Sequence, residues 1–279
     1  MATIQFDVIV LAQDQHLRRS IYVAGVTVLC YDHLLSLGSE VAHIWVPRAR
    51  RTSAWFLLVR YVALLSNLVL AAYFLGDLSA ESCKKLSSAE DYLLVIQETF
   101  VEVTLALRVC AMYGFNRRVF AALGVAAVIT ISLGAWAVVG PDIKVESALP
   151  GCHVPTSHTA AIHMAFAWEA QLVCDILILG LTLHRTYTYN LVVGPGSRSL
   201  LGTMVRDGAA YFAMIGLVNL ANILMLYTGD IITAGSLAWF ASTISVTMIT
   251  RLMLNLHDAA NGSNWTTPTL NLAAPEVGI

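Results

Sequence analysis

The residues best suited to chemistry are carboxyl groups that lie within long apolar stretches of the chain. Glu98 and Glu102 are four residues apart, so both lie on one face of a helix, and Glu169 is expected at the depth of Glu98 in a later helix. No lysine or arginine is predicted at matching depth, so these carboxyl groups must be protonated, hydrated in a cavity or bound to a cation. Asn219 and Asn222 are further candidates for this cavity, although intramembrane amides more often hydrogen-bond between helices.

Two further groups of charged residues are predicted near the inner ends of the helices. Asp32 and Arg60 lie at equal predicted depth, about 9 to 10 Å from the inner edge of the membrane, and we expect them to form an ion pair. The sequence favours a structural pair that fixes helix packing over a functional switch. Arg108 ends the third predicted helix and Asp207 begins the sixth, an arrangement similar to the inner ends of G-protein-coupled receptors. Both are candidates for an inner-face switch, with contact between Arg108 and lipid headgroups as the alternative.

The five cysteines divide between the predicted helices and the outer segments. Cys83 and Cys152 fall in outer segments, which face the oxidising side of the membrane, and we expect them to form a disulfide. The remaining three lie within helices and are interpreted as small buried apolar residues: Cys30, Cys110 and Cys174. No Cys-x-x-Cys spacing and no standard zinc spacing of histidines occurs, so no metal site is predicted.

These residues are embedded in a chain of strongly apolar composition. Of its 279 residues, 57% are hydrophobic and 12% are charged, whereas soluble domains carry about 25% charged residues. Mean hydropathy is +0.70, so the apolar residues exceed what one core can bury and must face lipid. A net charge of −2 leaves no basic surplus to neutralise a phosphate backbone, which excludes nucleic acid as a partner.

Apolar runs long enough to cross about 30 Å of hydrocarbon occur seven times. None alternates with the two-residue period of a barrel strand, so each predicts a helix. The fold class is therefore an all-α membrane protein, a bundle of seven transmembrane helices at residues 18–38, 53–76, 89–112, 118–140, 160–184, 205–228 and 233–256. The predicted transmembrane domain covers residues 18–257, between an outer N-terminal tail at 1–17 and a flexible cytoplasmic tail at 258–279.

The distribution of basic residues between the loops predicts the orientation of this bundle. Nine lysines and arginines lie on one side of the predicted membrane and five on the other. Because short loops rich in basic residues stay in the cytoplasm, the N-terminus is predicted outside and the C-terminus inside, a topology like that of G-protein-coupled receptors. Arg18 and Arg19, which directly precede the first span, oppose this orientation.

Several short motifs resemble those of a known family. They are YDHLLSL at 31–37 with Glu40, Trp45, Arg60 and Tyr61, LRVCAMY at 107–113, Gly151-Cys152, RDGAAYF at 206–212 with Asn219 and Asn222, and RLMLN at 251–255. In these motifs the chain resembles a seven-helix family found mainly in mushroom-forming fungi, the basidiomycetes, and catalogued as domain of unknown function 6533. The resemblance runs from about residue 20 to 257. It implies the fold and a membrane location, and it brings no established activity with it.

Three classes of function remain open. The first is a non-enzymatic, receptor-like or sensor-like protein, with a small-molecule cavity between the third, fifth and sixth helices and inner loops that contact a cytoplasmic signalling partner. The second is a proton- or cation-linked transporter or channel that uses the intramembrane carboxyl groups. The third is a structural or scaffold protein of the plasma membrane or an endomembrane. The chain contains no recognised catalytic or nucleotide-binding motif, and its lysines are confined to loops, so neither an enzyme nor a cofactor is predicted.

Overall fold

A computed structural model describes residues 2–45, 50–76, 79–139, 158–193, 200–229 and 233–263. Within these ranges the chain forms only helices and short turns. The seven α-helices are α1 (Ala2–Glu40), α2 (Arg50–Leu75), α3 (Ala80–Met112), α4 (Arg117–Val139), α5 (His158–Val193), α6 (Leu200–Thr228) and α7 (Ala238–Ser263). A π-helical turn, Val41–Trp45, continues α1. The prediction of an all-helical fold is confirmed for the part of the chain described.

The helix boundaries depart from the predictions at both ends of the chain. α1 begins at Ala2, so residues 2–17, the predicted outer tail, are helical and continue directly into the first span. α7 continues to Ser263, past the predicted end at 256, and the rest of the predicted cytoplasmic tail lies outside the described residues. The predicted ranges are shorter than the helices because an apolar run marks only the part of a helix suited to hydrocarbon, and a helix can continue into polar surroundings.

Five of the seven described helices are long and apolar enough to cross a membrane. Their candidate spans are Ala12–Glu40 in α1, Ser53–Ala71 in α2, Arg117–Val139 in α4, Thr159–Arg185 in α5 and Ala210–Thr228 in α6. These helices indicate a multi-pass integral membrane protein. α3 and α7 are less apolar: α3 carries several acidic and basic residues, and α7 is rich in serine and threonine.

The packing of the helices explains where these polar residues can lie. Each helix packs against the next one in the chain and α7 packs against α1, so the helices close into a ring. α3 also packs against α5 and α7, and α7 against α2. Every residue of α7 from 241 to 247 is buried, whereas α4 exposes Val125, Val128, Ile129 and Trp136. The polar helices are therefore enclosed and the apolar surfaces face outward, as expected where lipid is the solvent.

Local interactions define where α3 begins and ends. Ser79 caps the start of the helix, because its side chain accepts a hydrogen bond from the backbone N–H of Ser82. After the last turn of α3, Gly114 adopts a φ of 61°, a left-handed conformation that glycine reaches without steric cost. Asn116 then caps α4, since its side-chain oxygen accepts from the backbone N–H of Arg118 at 3.0 Å.

Candidate functional site

A small cavity lies between α3, α4 and α5. Its volume is about 70 Å³, which is room for about five water-sized groups. The lining combines apolar side chains with a few polar ones: Leu94, Val95, Glu98, Thr99, Glu102, Thr130, Ile131, Gly134, Ala167, Trp168 and Gln171. A mainly apolar lining with a few convergent polar groups is the usual character of a small-molecule site.

Glu98 is the acidic group of this cavity that has no hydrogen-bond partner. It is only 9% exposed, and neither of its carboxyl oxygens makes a hydrogen bond within the described part of the chain. The nearby hydroxyl of Ser242 accepts a hydrogen bond from Gln97, with 2.7 Å between Nε2 and Oγ. Because burial of a carboxyl group without a partner is costly, a proton or an occupant of the cavity would stabilise Glu98 in this position.

Glu102, one helical turn further along α3, has neutral partners. The hydroxyl of Thr130 on α4 donates to its carboxyl group, with 2.6 Å between Oγ1 and Oε1. The thiol of Cys174 on α5 lies beside the same carboxyl group. Glu102 therefore bridges the three helices that form the cavity.

A third carboxyl group, Asp175 of α5, lies close to these two. Asn219 of α6 donates to it, with 2.7 Å between Nδ2 and Oδ2. Asp175 also interacts electrostatically with both glutamates. None of the three acids forms an ion pair within the described residues. We refer to Glu98, Glu102 and Asp175 as the carboxyl layer.

A second group of buried charges lies where α1, the π-helical turn and α2 meet. The Nε atom of Arg60 is 2.9 Å from Oε2 of Glu40, and both side chains are almost completely buried. The other oxygen of Glu40 accepts from the Tyr61 hydroxyl at 3.1 Å and from the Trp45 indole at 3.2 Å. Glu40 is thus compensated by one full charge and two neutral donors.

Asp32 belongs to the same group but pairs with a different arginine. Arg251 of α7 donates to its carboxylate. Ser36 links the two ion pairs, because its hydroxyl donates to the carbonyl oxygen of Asp32 and accepts from Arg60. The predicted direct pair of Asp32 with Arg60 is therefore corrected, since Glu40, the last residue of α1, is buried as the partner of Arg60. We refer to Asp32, Glu40, Arg60 and Arg251 as the inner network.

Three of the four residues of the inner network lie on α1 and α2, within a single segment of the chain. Residues 20–65 match a Family of unknown function (DUF6533). No curated protein matches the chain. The DUF6533 segment thus contains most of the inner network, whereas Arg251 and the whole carboxyl layer lie outside it.

Glu169 is the predicted cavity residue that the structure places elsewhere. Its carboxyl group accepts from the hydroxyl of Tyr227, an exposed residue, at 2.7 Å. The acidic residue of α5 that joins the carboxyl layer is Asp175, which is not among the predicted cavity residues. A signal was present, because Trp168, Gln171 and Asp175 are spaced at i, i+3 and i+7 and therefore share one helix face.

The two predicted asparagines do not line the cavity, whose third wall is α4 and not the predicted sixth helix. Asn219 is fully buried and serves as the donor to Asp175. Asn222 is also fully buried, and neither its side-chain nitrogen nor its oxygen has a partner within the described residues. Within the described residues, α6 is therefore connected to the carboxyl layer by the hydrogen bond from Asn219 to Asp175.

The predicted inner-face switch is described only in part. The guanidinium of Arg108 lies over the ring of Phe212, 5.7 Å from its centroid. The Nη1 atom of Arg108 is buried and makes no hydrogen bond within the described residues. Asp207 belongs to α6, but its side chain lies outside what the structure describes. The proposed relation between Arg108 and Asp207 stays a prediction.

The cysteines follow the predicted division only in part. Cys83 lies near the start of α3 and not in a segment between helices; it is buried and takes part in a disulfide. Cys30, Cys110 and Cys174 carry free thiols. Cys152, the predicted partner of Cys83, lies outside the described residues, so this pairing stays a prediction.

Proposed function

We propose that the chain is a receptor-like or sensor-like integral membrane protein that binds a small molecule in the cavity between α3, α4 and α5. In this proposal all seven helices cross the membrane, with the N-terminus outside and the C-terminus in the cytoplasm, and the chain is a seven-helix member of the DUF6533 family. The enclosure of α3 and α7 by other helices supports the proposal, because their polar residues can then cross the membrane without contact with lipid.

The observation that carries the binding proposal is the unpartnered carboxyl group of Glu98. It lines the cavity, it is almost fully buried, and it has no hydrogen-bond partner within the described chain. Structural polar groups in a bundle are normally paired with one another. A ligand that supplies hydrogen-bond donors would pair this carboxyl group and fill the cavity at the same time.

A connection from the cavity to the inner surface supports a signalling role. α3 and α5 both line the cavity, and their inner ends are joined directly. The hydroxyl of Tyr113 donates to the carbonyl oxygen of Leu181 at 2.9 Å, and Nε of Arg185 donates to that of Met112 at 3.1 Å. A ligand that changes the spacing of α3 and α5 would therefore act on these hydrogen bonds, next to the loops that a cytoplasmic partner contacts.

Filling the cavity tests the binding proposal. A Cβ atom at Gly134, on the cavity wall, meets only side-chain atoms of Val95 at 3.7 Å, so Gly134→Leu should place its side chain in the cavity and keep every carboxyl group. Gly124 lies on the same helix with open space around its Cβ position, so Gly124→Leu is the matched control. In a small-molecule screen by thermal stabilisation in lipid nanodiscs, we expect ligands that stabilise the wild type and Gly124→Leu but not Gly134→Leu. A screen without any such ligand contradicts the proposal.

Hydrogen–deuterium exchange tests the signalling part. A ligand found in that screen should change the exchange rate of residues 112–118, which connect α3 to α4, in the wild type and not in Gly134→Leu. Unchanged exchange in the wild type at saturating ligand would leave a binding site without the proposed coupling to the inner surface.

The carboxyl layer favours a second candidate, a proton- or cation-linked transporter. Three acids interact with one another and none is in an ion pair within the described residues, a pattern found in intramembrane proton relays. Proton flux into liposomes tests this candidate with the double variant Glu98→Gln/Glu102→Gln and, as control, Glu169→Gln. Flux that the double variant loses and the control keeps would favour transport over reception. Neither flux nor ligand binding would favour a structural or scaffold protein.

A further inference from the structure

The size of the cavity limits how much of an occupant can lie within it. At about 10 to 15 Å³ for each water-sized group, its volume of 70 Å³ holds a group of only a few non-hydrogen atoms. The occupant must also be amphipathic. Leu94, Val95 and Ile131 supply apolar walls beside the carboxyl groups of Glu98 and Glu102, so a few carbon atoms and one polar group match the lining.

The charge of the lining favours a cation as that polar group. Both oxygens of Glu98 are available as acceptors, and the cavity contains no lysine, arginine or histidine in its lining. Trp168 lines the same cavity, and an indole ring is the aromatic side chain that attracts cations best. An anion would meet repulsion from an ionised Glu98, and a neutral ligand would leave Glu98 dependent on a proton.

The kind of cation follows from the arrangement of the acidic side chains. Within the described residues no group of three His, Cys, Asp or Glu side chains is placed to hold a metal ion. Bare divalent cations need six or more oxygen ligands or retain much of their water, and the mainly apolar lining supplies neither. An ammonium group is satisfied by a few acceptors around its three N–H bonds, which the oxygens of Glu98 and the side chains beside it can supply.

We propose that the cavity binds a small protonated alkylamine, with its ammonium group at Glu98 and its alkyl part against the apolar walls. This inference rests on the proposed function and names the chemical class of the ligand. Glu98 supplies the charge, Glu102 stays bonded to Thr130, and about five non-hydrogen atoms of the amine fit within the cavity.

A pair of probes that differ only in charge tests the inference. n-Propylamine, which is protonated at pH 7, and n-propanol have the same number of non-hydrogen atoms. Calorimetric titration uses the full chain in lipid nanodiscs, as wild type, Glu98→Gln and Glu169→Gln. We expect saturable binding of propylamine to the wild type and at least about tenfold weaker binding to Glu98→Gln, the range expected for loss of a charged hydrogen bond. The control Glu169→Gln removes a carboxyl group of α5 outside the cavity and should bind propylamine like the wild type.

Two further results complete the test. Gly134→Leu keeps Glu98 but loses the space, so it should also lose propylamine binding, which guards against a folding defect in Glu98→Gln alone. Equal affinities for propanol and propylamine, or equal affinities of wild type and Glu98→Gln for propylamine, would overturn the inference. If the small-molecule screen nevertheless yields neutral ligands that Gly134→Leu excludes, the proposed function stands and only the amine is wrong. If nothing distinguishes Gly134→Leu from Gly124→Leu, the proposed function fails as well.

Discussion

Two groups of buried charges lie in this bundle, and they are compensated in different ways. The inner network contains two acids and two arginines, joined as Glu40 with Arg60 and Asp32 with Arg251. The carboxyl layer contains three acids, and within the described residues its partners are neutral side chains, among them Thr130, Cys174 and Asn219. Both groups pay the same kind of desolvation cost, but only the inner network offsets it with opposite charge.

The difference indicates different roles for the two groups. A balanced network that connects α1, α2 and α7 needs nothing from outside the chain, and it suits a structural role. An unbalanced layer next to a cavity needs a proton or a bound cation, so its state depends on the surroundings. Matched substitutions test this comparison. Removal of one charge from a structural group should lower the free energy of unfolding of the protein, whereas removal of one charge from a ligand site should not.

Arg60→Gln is expected to have the largest effect. It leaves Glu40 buried, with Tyr61 and Trp45 as neutral donors and no opposite charge. Loss of one partner from a buried ion pair lowers the free energy of unfolding by about 3 to 5 kcal/mol. The double variant Glu40→Gln/Arg60→Gln removes both charges and should cost less than Arg60→Gln alone. Denaturant titration in detergent micelles measures all three proteins.

The exposed pair of Glu81 and Lys85 provides the control for this measurement. Their side chains are 81% and 73% exposed, and they lie one helical turn apart on α3. Lys85→Gln should lower the free energy of unfolding by no more than about 0.5 kcal/mol. If Arg60→Gln costs as little as Lys85→Gln, the inner network is not the structural element proposed here.

The two members of the Asp32–Arg251 pair differ in burial, so we expect their removal to cost different amounts of stability. The side chain of Arg251 is 44% exposed, whereas that of Asp32 is 4% exposed. In Arg251→Gln the buried carboxylate loses its counter-charge, which should cost about 2 kcal/mol. In Asp32→Asn the arginine can turn to solvent or lipid headgroups, so the loss should be smaller. Equal losses for the two variants, measured by the same denaturant titration, would show that burial does not decide the cost.

The helices were predictable because each depends on local sequence. Apolar runs and the absence of a two-residue period determine helix number within the described chain, and the i,i+4 spacing of Glu98 and Glu102 determines that they share a face. Helix ends were less predictable, since α1 and α7 extend beyond their apolar runs. The sequence also ends the first predicted span at residue 38 and so leaves Glu40 outside it, whereas the candidate span of α1 runs to Glu40.

The pairing of charges was not predictable, because it depends on how helices rotate and which ones meet. Asp32 and Arg251 are 219 positions apart in the sequence, and equal depth made Arg60 the more obvious partner. The rotation of α5 decides that Asp175, and not Glu169, faces the carboxyl layer. Depth can be counted along one helix, whereas rotation is set by packing against the others.

Two asparagines of α6, three positions apart, allow an amide with a hydrogen-bond partner to be compared with one that has none in the described part of the chain. Asn219 donates to Asp175, and Asn222 has no partner within the described residues, although both are fully buried. Asn219→Leu removes the donor to a buried acid and should lower the free energy of unfolding by about 1 to 3 kcal/mol. Asn222→Leu removes an unpaired amide and should leave stability unchanged or higher. The reverse order, measured in micelles, would show that Asn222 has a partner of its own, such as a water or a ligand.

Replacement of one glutamate by glutamine in each of the two groups compares them directly. Glu40→Gln removes the counter-charge of the buried Arg60 and should cost about 3 kcal/mol or more. Glu98→Gln keeps the shape of the side chain and removes an acid that has no ion-pair or hydrogen-bond partner within the described chain, so the free energy of unfolding should change by less than about 1 kcal/mol. Denaturant titration of the two variants in micelles without added amine gives both values under the same conditions. A loss for Glu98→Gln as large as that for Glu40→Gln would mean that Glu98 is held as a charged structural residue, and the division between a balanced network and an unbalanced ligand site would then be wrong.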